Sequence, residues 1–179
     1  MPNHVTNEII FLGLTEQQRS DILATTLNTK GEVDFNILLP VPLNAWMFSV
    51  GERHEKAFRL TALDWRRENW GTKWGAYQHR PVEQDADTLK FTFDTAWRPP
   101  YGWLSAVFNR HKVSFDHNWF DEGADKARTG KFRYPAEDDD FSDPWTESVA
   151  SEDETRRMHV LKWGVESFED DDADASAEA

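Results

Sequence analysis

The sequence predicts an α+β fold in which an antiparallel sheet carries helices on one face. Two segments, LKFTFDTA (89–96) and VSFDHNWF (113–120), alternate between apolar and polar residues, as half-buried strands do. A third observation is a helix signal after residue 14, where Thr15 and Gln18 have the spacing of a capping box. Strands separated by amphipathic helices are typical of small α+β domains.

The chain begins with a predicted strand followed by a helix. NEIIFLG (7–13) is a compact apolar run that ends at a glycine, which predicts a short buried strand. Residues 15–27 follow as a helix with an apolar face made of Ile22, Leu23 and Leu27.

An inserted segment comes next. In VDFNILLPVPL (33–43), Pro40 and Pro42 exclude a central strand and favour an extended edge segment. Residues 58–69 have helical spacing, and Gly71 is expected to end that helix.

The second half of the domain is predicted to alternate strands with one helix. AYQHRPV (76–82) is a candidate strand ending at a proline, and 89–96 is the next strand. Two consecutive prolines suit the first turn of a helix over 97–111, where no N–H is needed. The strand 113–120 follows, and 130–135 is a candidate last short strand.

Without the insertion, this order is β-α-β-β-α-β, the split βαβ arrangement of ferredoxin-like folds. Such a fold packs its helices on one face of the sheet. The sequence leaves three occupants open for the other face: solvent, a partner, or the extra segments of this chain.

The charge distribution predicts two regions. Residues 1–135 form the predicted ferredoxin-like domain, in which residues 1–134 carry 17 acidic and 17 basic side chains. Residues 136–179 form an acidic extension, and 135–179 hold 16 acidic residues against three basic ones. The whole net charge of −13 therefore lies in the last quarter of the chain. Such asymmetry favours a basic partner, or a solvated tail with none.

The extension is not uniformly hydrophilic. Residues 136–151 have the composition of a linker, residues 152–163 have the pattern of a short amphipathic helix, and disorder is expected over 167–179. Aromatic residues between acidic clusters suggest docking, either onto this domain or onto a partner, whereas the alternative is a solvating tail. The candidate partner-binding residues are Asp138, Asp139, Asp140, Trp145, Glu152, Asp153, Glu154 and Trp163.

Composition excludes several classes of protein. The chain has no cysteine, so it has no disulfide scaffold, no thiolate metal site and no cysteine nucleophile. The start, MPNHVTNEIIFLGL, lacks the basic and long apolar regions of a signal peptide, and no apolar run reaches membrane-spanning length. We therefore expect a cytoplasmic protein.

The stretch ENWGTKWGAY (68–77) has a structural and a functional interpretation. Structurally, Trp70 and Trp74 pin the helix end to the sheet, and this interpretation is favoured because tryptophan is usually largely buried. Functionally, the stretch contributes to a ligand pocket together with nearby basic residues, among them Arg67. The candidate pocket residues are Arg66, Trp70, Lys73, Trp74, Trp97 and Arg98.

No catalytic motif is present, and the sequence predicts no catalytic residue and no cofactor. His111 and His117, with Asp116 and Asp121, match no common metal-ligand spacing, so we predict no metal site. His117 is instead expected to be a partly buried strand residue.

Aromatic strands in a ferredoxin-like sheet raise the possibility of RNA binding, as in domains that stack bases on the sheet. Phe91 and Phe93, however, should face the helices, and the acidic extension would repel phosphate. These features argue against direct nucleic-acid binding.

Three segments carry a family resemblance: DFN…LPVP (34–42), WRRENWGTKWGAY (65–77) and FDTAWRPP (93–100), followed by FDEG (120–123). Together they resemble the ferredoxin-like domain of YubB-like proteins of phages and plasmids, a domain of unknown function, over residues 5–135. The chain departs from that family at Arg98, where a small polar residue is common, and in its acidic extension. The resemblance implies a ferredoxin-like fold and an accessory protein of a mobile element, but no activity and no catalytic residues.

Two functions follow as expectations. One is a phage or mobile-element accessory protein that binds a host protein with a basic surface and inhibits it, using acidic side chains in place of phosphates. The alternative is a small-ligand or nucleotide-binding module, enzymatic or not, at Trp70, Lys73, Trp97 and Arg98.

Overall fold

A computed structural model of the protein describes residues 3–47, 53, 57, 58, 60–134 and 145–165. Within these residues one sheet contains six strands, all paired antiparallel. The strands are β1 (His4–Leu12), β2 (Glu83–Gln84), β3 (Thr88–Ala96), β4 (Phe115–Asp121), β5 (Arg128–Phe132) and β6 (Trp145–Val149). Their order across the sheet is β2-β3-β1-β4-β5-β6.

The first four positions of this order confirm the predicted split βαβ arrangement. β1 lies between β3 and β4, so the helix that joins β3 to β4 crosses over β1. In the same way, β3 lies between β1 and β2, so the chain that joins β1 to β2 crosses over β3. β5 and β6 widen the sheet beyond β4.

The helices lie on both faces of the sheet. Their bounds are α1 (Glu16–Thr26), α2 (Phe35–Leu38), α3 (Ala62–Asn69), α4 (Tyr101–His111) and α5 (Glu152–Trp163). α1 to α4 pack together on one face, whereas α5 packs on the other and contacts β4. An extra segment of the chain therefore covers part of the second face. In the described ranges, no helix combines the length and the hydrophobicity needed to span a bilayer.

Aromatic side chains fill the space between the sheet and α1 to α4. Phe11 of β1 contacts Phe91 of β3 and Phe115 of β4 at centroid distances of 6.0 and 5.0 Å. Phe35 of α2 stacks on Trp103 of α4 at 4.7 Å. The rings on β1, β3 and β4 alternate with residues of the other face, which confirms the predicted strands. The expectation that β3 and β4 are only half-buried is wrong, because α5 packs on the second face and both strands are buried on both faces over most of their length.

Local capping explains most helix bounds. The Thr15–Gln18 capping box starts α1, as predicted. The expectation of an extended segment over 33–43 is wrong, because the Asp34 side chain accepts from the Asn36 N–H and starts the short helix α2. Thr61 caps α3 in the same manner, so this helix begins at Ala62 and not at residue 58.

The predicted strand 76–82 is also displaced. This segment runs beside β3 but pairs with it at isolated points, a bridge between Tyr77 and Asp94 and a bond from the Arg80 N–H to the Thr92 carbonyl. Gln78 has a φ of +49°, which interrupts regular pairing. The regular strand β2 begins only at Glu83.

Part of the acidic extension belongs to the sheet. Residues 145–149, which have the composition of a linker, form β6 and pair with β5 over five residues. α5 occupies 152–163 as predicted, and its Met158 is fully buried against Phe120, Ala127 and Ala150. The division at residue 135 stays a prediction, but 145–163 pack on the domain.

A polar group lies inside the core beneath the helices. His117 of β4 is completely buried, and its Nε2–H donates to the Asn7 Oδ1 at 3.1 Å. The imidazole stacks on Trp119 at 4.7 Å, and its Nδ1 has no hydrogen-bond partner among the described residues. Burial lowers the pKa of His117 to about 3, so the ring is neutral at physiological pH.

This burial predicts a pH dependence of stability. Because the pKa of His117 is lowered on folding, the unfolded chain binds a proton that the native protein does not, from pH 6.5 downward. Between pH 6.5 and 4.5, urea unfolding should show the unfolding free energy of the wild type falling by up to about 1.4 kcal/mol per pH unit from this residue.

His117→Gln, which keeps an N–H donor but cannot titrate, should lose this slope. His111→Gln is the control: burial lowers the pKa of His111 too, but this half-buried residue bonds Thr25 at the surface of α1 and should leave most of the slope in place. Equal slopes in wild type and His117→Gln would contradict the prediction.

Candidate functional site

The end of α3 is built around Gly71 and Trp70. The N–H groups of both residues donate to the Arg66 carbonyl, at 2.8 and 3.1 Å, and Gly71 takes the left-handed conformation with φ of +85°. The Trp70 ring is buried in the core, and its Nε1–H donates to the Leu39 carbonyl at 2.8 Å. The predicted helix stop and the predicted anchor at Trp70 are therefore confirmed.

The end of α3 lies directly against the start of α4. A Cβ on Gly102 would come within 2.1 Å of the Asn69 carbonyl oxygen, so only glycine allows this approach. The Trp103 N–H donates to the Trp70 carbonyl across the contact, at 3.4 Å. This contact brings the residues after α3 close to those before α4.

The turn between β3 and α4 is held by three hydrogen bonds. The Trp97 N–H donates to the Asn3 carbonyl, and the Thr95 hydroxyl donates to the Arg98 carbonyl. The Thr72 hydroxyl donates to the Ala96 carbonyl, which ties the segment after α3 to the same turn. Each of these bonds is 2.9 Å long.

A cleft of about 510 Å³ lies between these two segments. It is lined by Arg67, Gly71, Thr72, Lys73, Ala96, Trp97 and Arg98. Its three basic side chains come from three places in the chain: the last turn of α3, the segment after Gly71 and the turn after β3. The volume is within the range of small-molecule sites.

The cations of the cleft are poorly neutralised. Arg67 lies 3.9 Å from Asp64, but both side chains are about half exposed, and such pairs contribute little. Lys73 Nζ lies over the Trp74 ring at 5.1 Å. Within the described residues, neither Lys73 nor Arg98 forms an ion pair.

The structure brings together half of the predicted pocket residues. Lys73, Trp97 and Arg98 line the cleft, and Trp70 lies in the core behind it. Arg66 does not line the cleft: its guanidinium lies 5.4 Å from the Trp70 ring, and burial lowers its pKa.

Trp74 corrects one expectation about the stretch ENWGTKWGAY (68–77). It does not anchor the helix end in the core, since its ring is 39 % exposed and contacts Lys73 and the edge of Tyr77, the latter at a centroid distance of 6.2 Å. Arg67, one of the nearby basic residues of the pocket interpretation, lines the cleft, and so does Thr72, which the sequence analysis did not name.

The predicted partner-binding residues are divided between two faces. Trp145 lies on the face of α1 to α4, 4.8 Å from Tyr101, whereas Trp163 lies at the end of α5 on the other face. Glu152, Asp153 and Glu154 form the first turn of α5. The acidic residues Asp138, Asp139 and Asp140 lie outside the described residues. This set stays a prediction.

A buried charge cluster beneath α5 escapes the sequence analysis. The side chain of Glu8, in the middle of β1, has no exposed surface and accepts two hydrogen bonds from the Arg157 guanidinium. Asn118 donates to it at 3.1 Å, and Lys90 Nζ lies 3.7 Å away. A carboxylate inside the apolar run NEIIFLG was a signal for such a cluster, but the run does not identify the partner.

The charge state of Glu8 follows from these contacts. Burial alone would raise the pKa of Glu8, but hydrogen bonds from Arg157 and Asn118 and the positive charges of Arg157 and Lys90 outweigh it and lower the pKa. Glu8 is therefore ionised and paired, which is the state of a structural carboxylate and not of a general acid.

The histidines and aspartates considered as metal ligands lie apart. His111 bonds the Thr25 hydroxyl at 2.9 Å, and Asp116 pairs with Arg133 at 2.6 Å. His117 faces α1 to α4, whereas Asp116 faces the opposite side. The described residues contain no group of three or more possible ligands that could hold a metal ion.

One comparison with known proteins gives a match. A family model described as a ferredoxin-like domain in Api92-like protein matches residues 70–162, which is 93 of the 179 residues. The match spans β2 to α5 and continues across residue 135. No curated protein and no solved structure matches the chain.

Proposed function

This chain belongs to the family of ferredoxin-like domains in Api92-like proteins, and within that fold we propose that it binds a small phosphate-bearing ligand in the basic cleft. The observation that carries the proposal is the convergence of Arg67, Lys73 and Arg98 on one cavity. Three cations from separate segments repel one another, and this repulsion is relieved when a multivalent anion binds between them.

The surroundings of the cleft favour an anion further. Gly71 lies on the first turn of α4: a Cβ there would be 3.1 Å from the Tyr101 nitrogen and 3.3 Å from that of Gly102. The positive end of the α4 dipole therefore adds to the three side chains. Pro100 before this helix makes no side-chain cap, but the Tyr101 and Trp103 N–H groups already donate to the Pro99 and Trp70 carbonyls, so the helix contributes its dipole and not these hydrogen bonds.

Phosphate suits these residues better than a carboxylate ligand. A guanidinium presents a planar set of donors that pairs with two phosphate oxygens at once, and lysine adds a point charge. The net charge of −13 on the whole chain opposes anion binding. The attraction must therefore come from the nearby cations of the cleft, and the affinity should depend strongly on the salt concentration.

We expect tripolyphosphate to bind at low ionic strength in isothermal titration calorimetry. Lys73→Ala and Arg98→Ala should each weaken binding by about tenfold, since a hydrogen bond to a charged group contributes roughly 1.5–3 kcal/mol. Binding should weaken steeply as salt is added.

Arg156→Ala is the matched control, because Arg156 is an exposed arginine on α5 whose one ion pair with a described residue is a 3.6 Å contact with Asp153. It should bind like the wild type. The proposal fails if tripolyphosphate does not bind at low salt, or if Arg156→Ala weakens binding as much as Arg98→Ala.

We further propose a second candidate role, an accessory protein of a phage or other mobile element that acts in the cytoplasm of its host cell. The resemblance to YubB-like proteins and the acidic surplus of the extension support it. Glu152 and Asp153 are exposed in the first turn of α5, whereas Glu154 forms an ion pair with Arg157. Such carboxylates can replace phosphates in the basic groove of a host defence or nucleic-acid-handling protein.

This second role predicts a salt-sensitive complex with a basic host protein. Affinity capture from host lysate at low salt should recover the partner, and changing Asp138, Asp139, Asp140, Glu152 and Asp153 to their amides should abolish its recovery. The matched control neutralises Asp85 and Asp87, in the turn between β2 and β3. Recovery that does not change on removing the five charges would contradict this role.

A further inference from the structure

Trp97 has an unusual backbone for a large aromatic residue. Its φ is +74°, in the left-handed region that bulky residues rarely adopt, and its ring is 51 % exposed. Strained conformations of this kind persist where the surrounding structure fixes them, and they cluster at ligand sites.

The protein fixes Trp97 by its neighbours and not by burial of its ring. The bonds to the Asn3, Ala96 and Arg98 carbonyls hold the backbone on both sides of the residue. Pro99 then restricts the backbone of Arg98. A tryptophan that served only the core would be buried, as Trp70 and Trp103 are.

The ring of Trp97 is also free of aromatic and cationic partners. Trp74 and Trp163 are exposed as well, but each has a lysine over its face, at 5.1 and 5.2 Å. Within the described residues, no ring and no cation contacts Trp97 in this way. It lines the same cleft as Arg67, Lys73 and Arg98.

We propose that Trp97 is a stacking platform for the base of a nucleotide whose phosphates lie against Arg67, Lys73 and Arg98. A nucleotide has a flat aromatic part and a multivalent anionic part, and the cleft presents one matching surface for each. This inference rests on the proposed function and names its ligand class. A free nucleotide and the phosphorylated end of a single strand share this chemistry.

The test compares ATP with tripolyphosphate by calorimetry at low salt. The wild type should bind ATP about 5- to 150-fold more tightly than tripolyphosphate, the range expected for one stacked base. Trp97→Leu should remove this preference, so that the variant binds ATP and tripolyphosphate with equal affinity. Trp97→Phe, which keeps an aromatic ring, should retain part of the preference.

Trp74→Leu is the matched control, since it removes an exposed tryptophan next to Lys73 and should keep the preference for ATP. Thermal unfolding checks that each variant is folded. A further titration, with a 5′-phosphorylated single-stranded oligonucleotide, distinguishes the two ligand classes. If the oligonucleotide binds more tightly than ATP and its binding depends on Trp97, the site binds strand ends. If it binds more weakly than ATP, the site binds free nucleotides.

Two results would overturn the inference without affecting the anion site. One is equal affinity of the wild type for ATP and tripolyphosphate. The other is a Trp97→Leu variant that still prefers ATP. This includes a variant whose affinity for both ligands falls equally, which is expected if Trp97 only shapes the cleft. If the wild type binds neither ligand, the proposed function itself fails.

Discussion

The ion pair between Glu8 and Arg157 holds β1 and α5, the first and last elements of the described residues, together. Glu8 lies in a central strand with no exposed side-chain surface, so its charge must be compensated inside the protein. Lys90 and Asn118 contribute, but only Arg157 makes two hydrogen bonds to the carboxylate. The acidic quarter of the chain has three basic residues, and two of them, Arg157 and Lys162, bond to β1. The helix that carries the acidic first turn is therefore fixed to the sheet by its few cations.

This attachment also reaches the basic cleft. Lys162 donates to the His4 carbonyl at 3.0 Å, and the preceding carbonyl, that of Asn3, accepts from Trp97 at 2.9 Å. The start of β1 is thus held by α5 on one side and by the cleft turn on the other. Together with the contact between Gly102 and the end of α3, these backbone bonds place Lys73, Trp97 and Arg98 around one cavity. A site assembled in this way has no contiguous motif, which is why a motif search of the sequence finds nothing.

Local signals in the sequence predicted most of the fold. Alternation predicted β3 and β4, the Thr15–Gln18 box predicted the start of α1, and Gly71 predicted the end of α3. β6 was missed because WTESV has one polar face and a second face on which Glu147 separates Trp145 from Val149, and because it follows an acidic run, so its pairing with β5 is decided by tertiary contacts. The cleft was predicted through Lys73, Trp97, Arg98 and the nearby Arg67, whereas Arg66, predicted beside them, lies against the Trp70 ring instead. The pair Glu8–Arg157 joins residues 149 positions apart, and no local pattern specifies such a partner.

Urea unfolding of Arg157→Met and of Arg156→Met measures most directly how much the ion pair between Glu8 and Arg157 stabilises the fold. Methionine keeps the packing of the side-chain stem and removes the charge. Arg157→Met should lower the unfolding free energy by about 2–4 kcal/mol because it leaves a buried carboxylate without its main partner. Arg156→Met should change it by less than about 0.5 kcal/mol, as expected for an exposed pair. Adding Glu8→Gln to Arg157→Met should recover much of the loss, since no buried charge then lacks a partner. Equal, small losses in the two single variants would contradict the account, because α5 would then be held to the sheet without the ion pair.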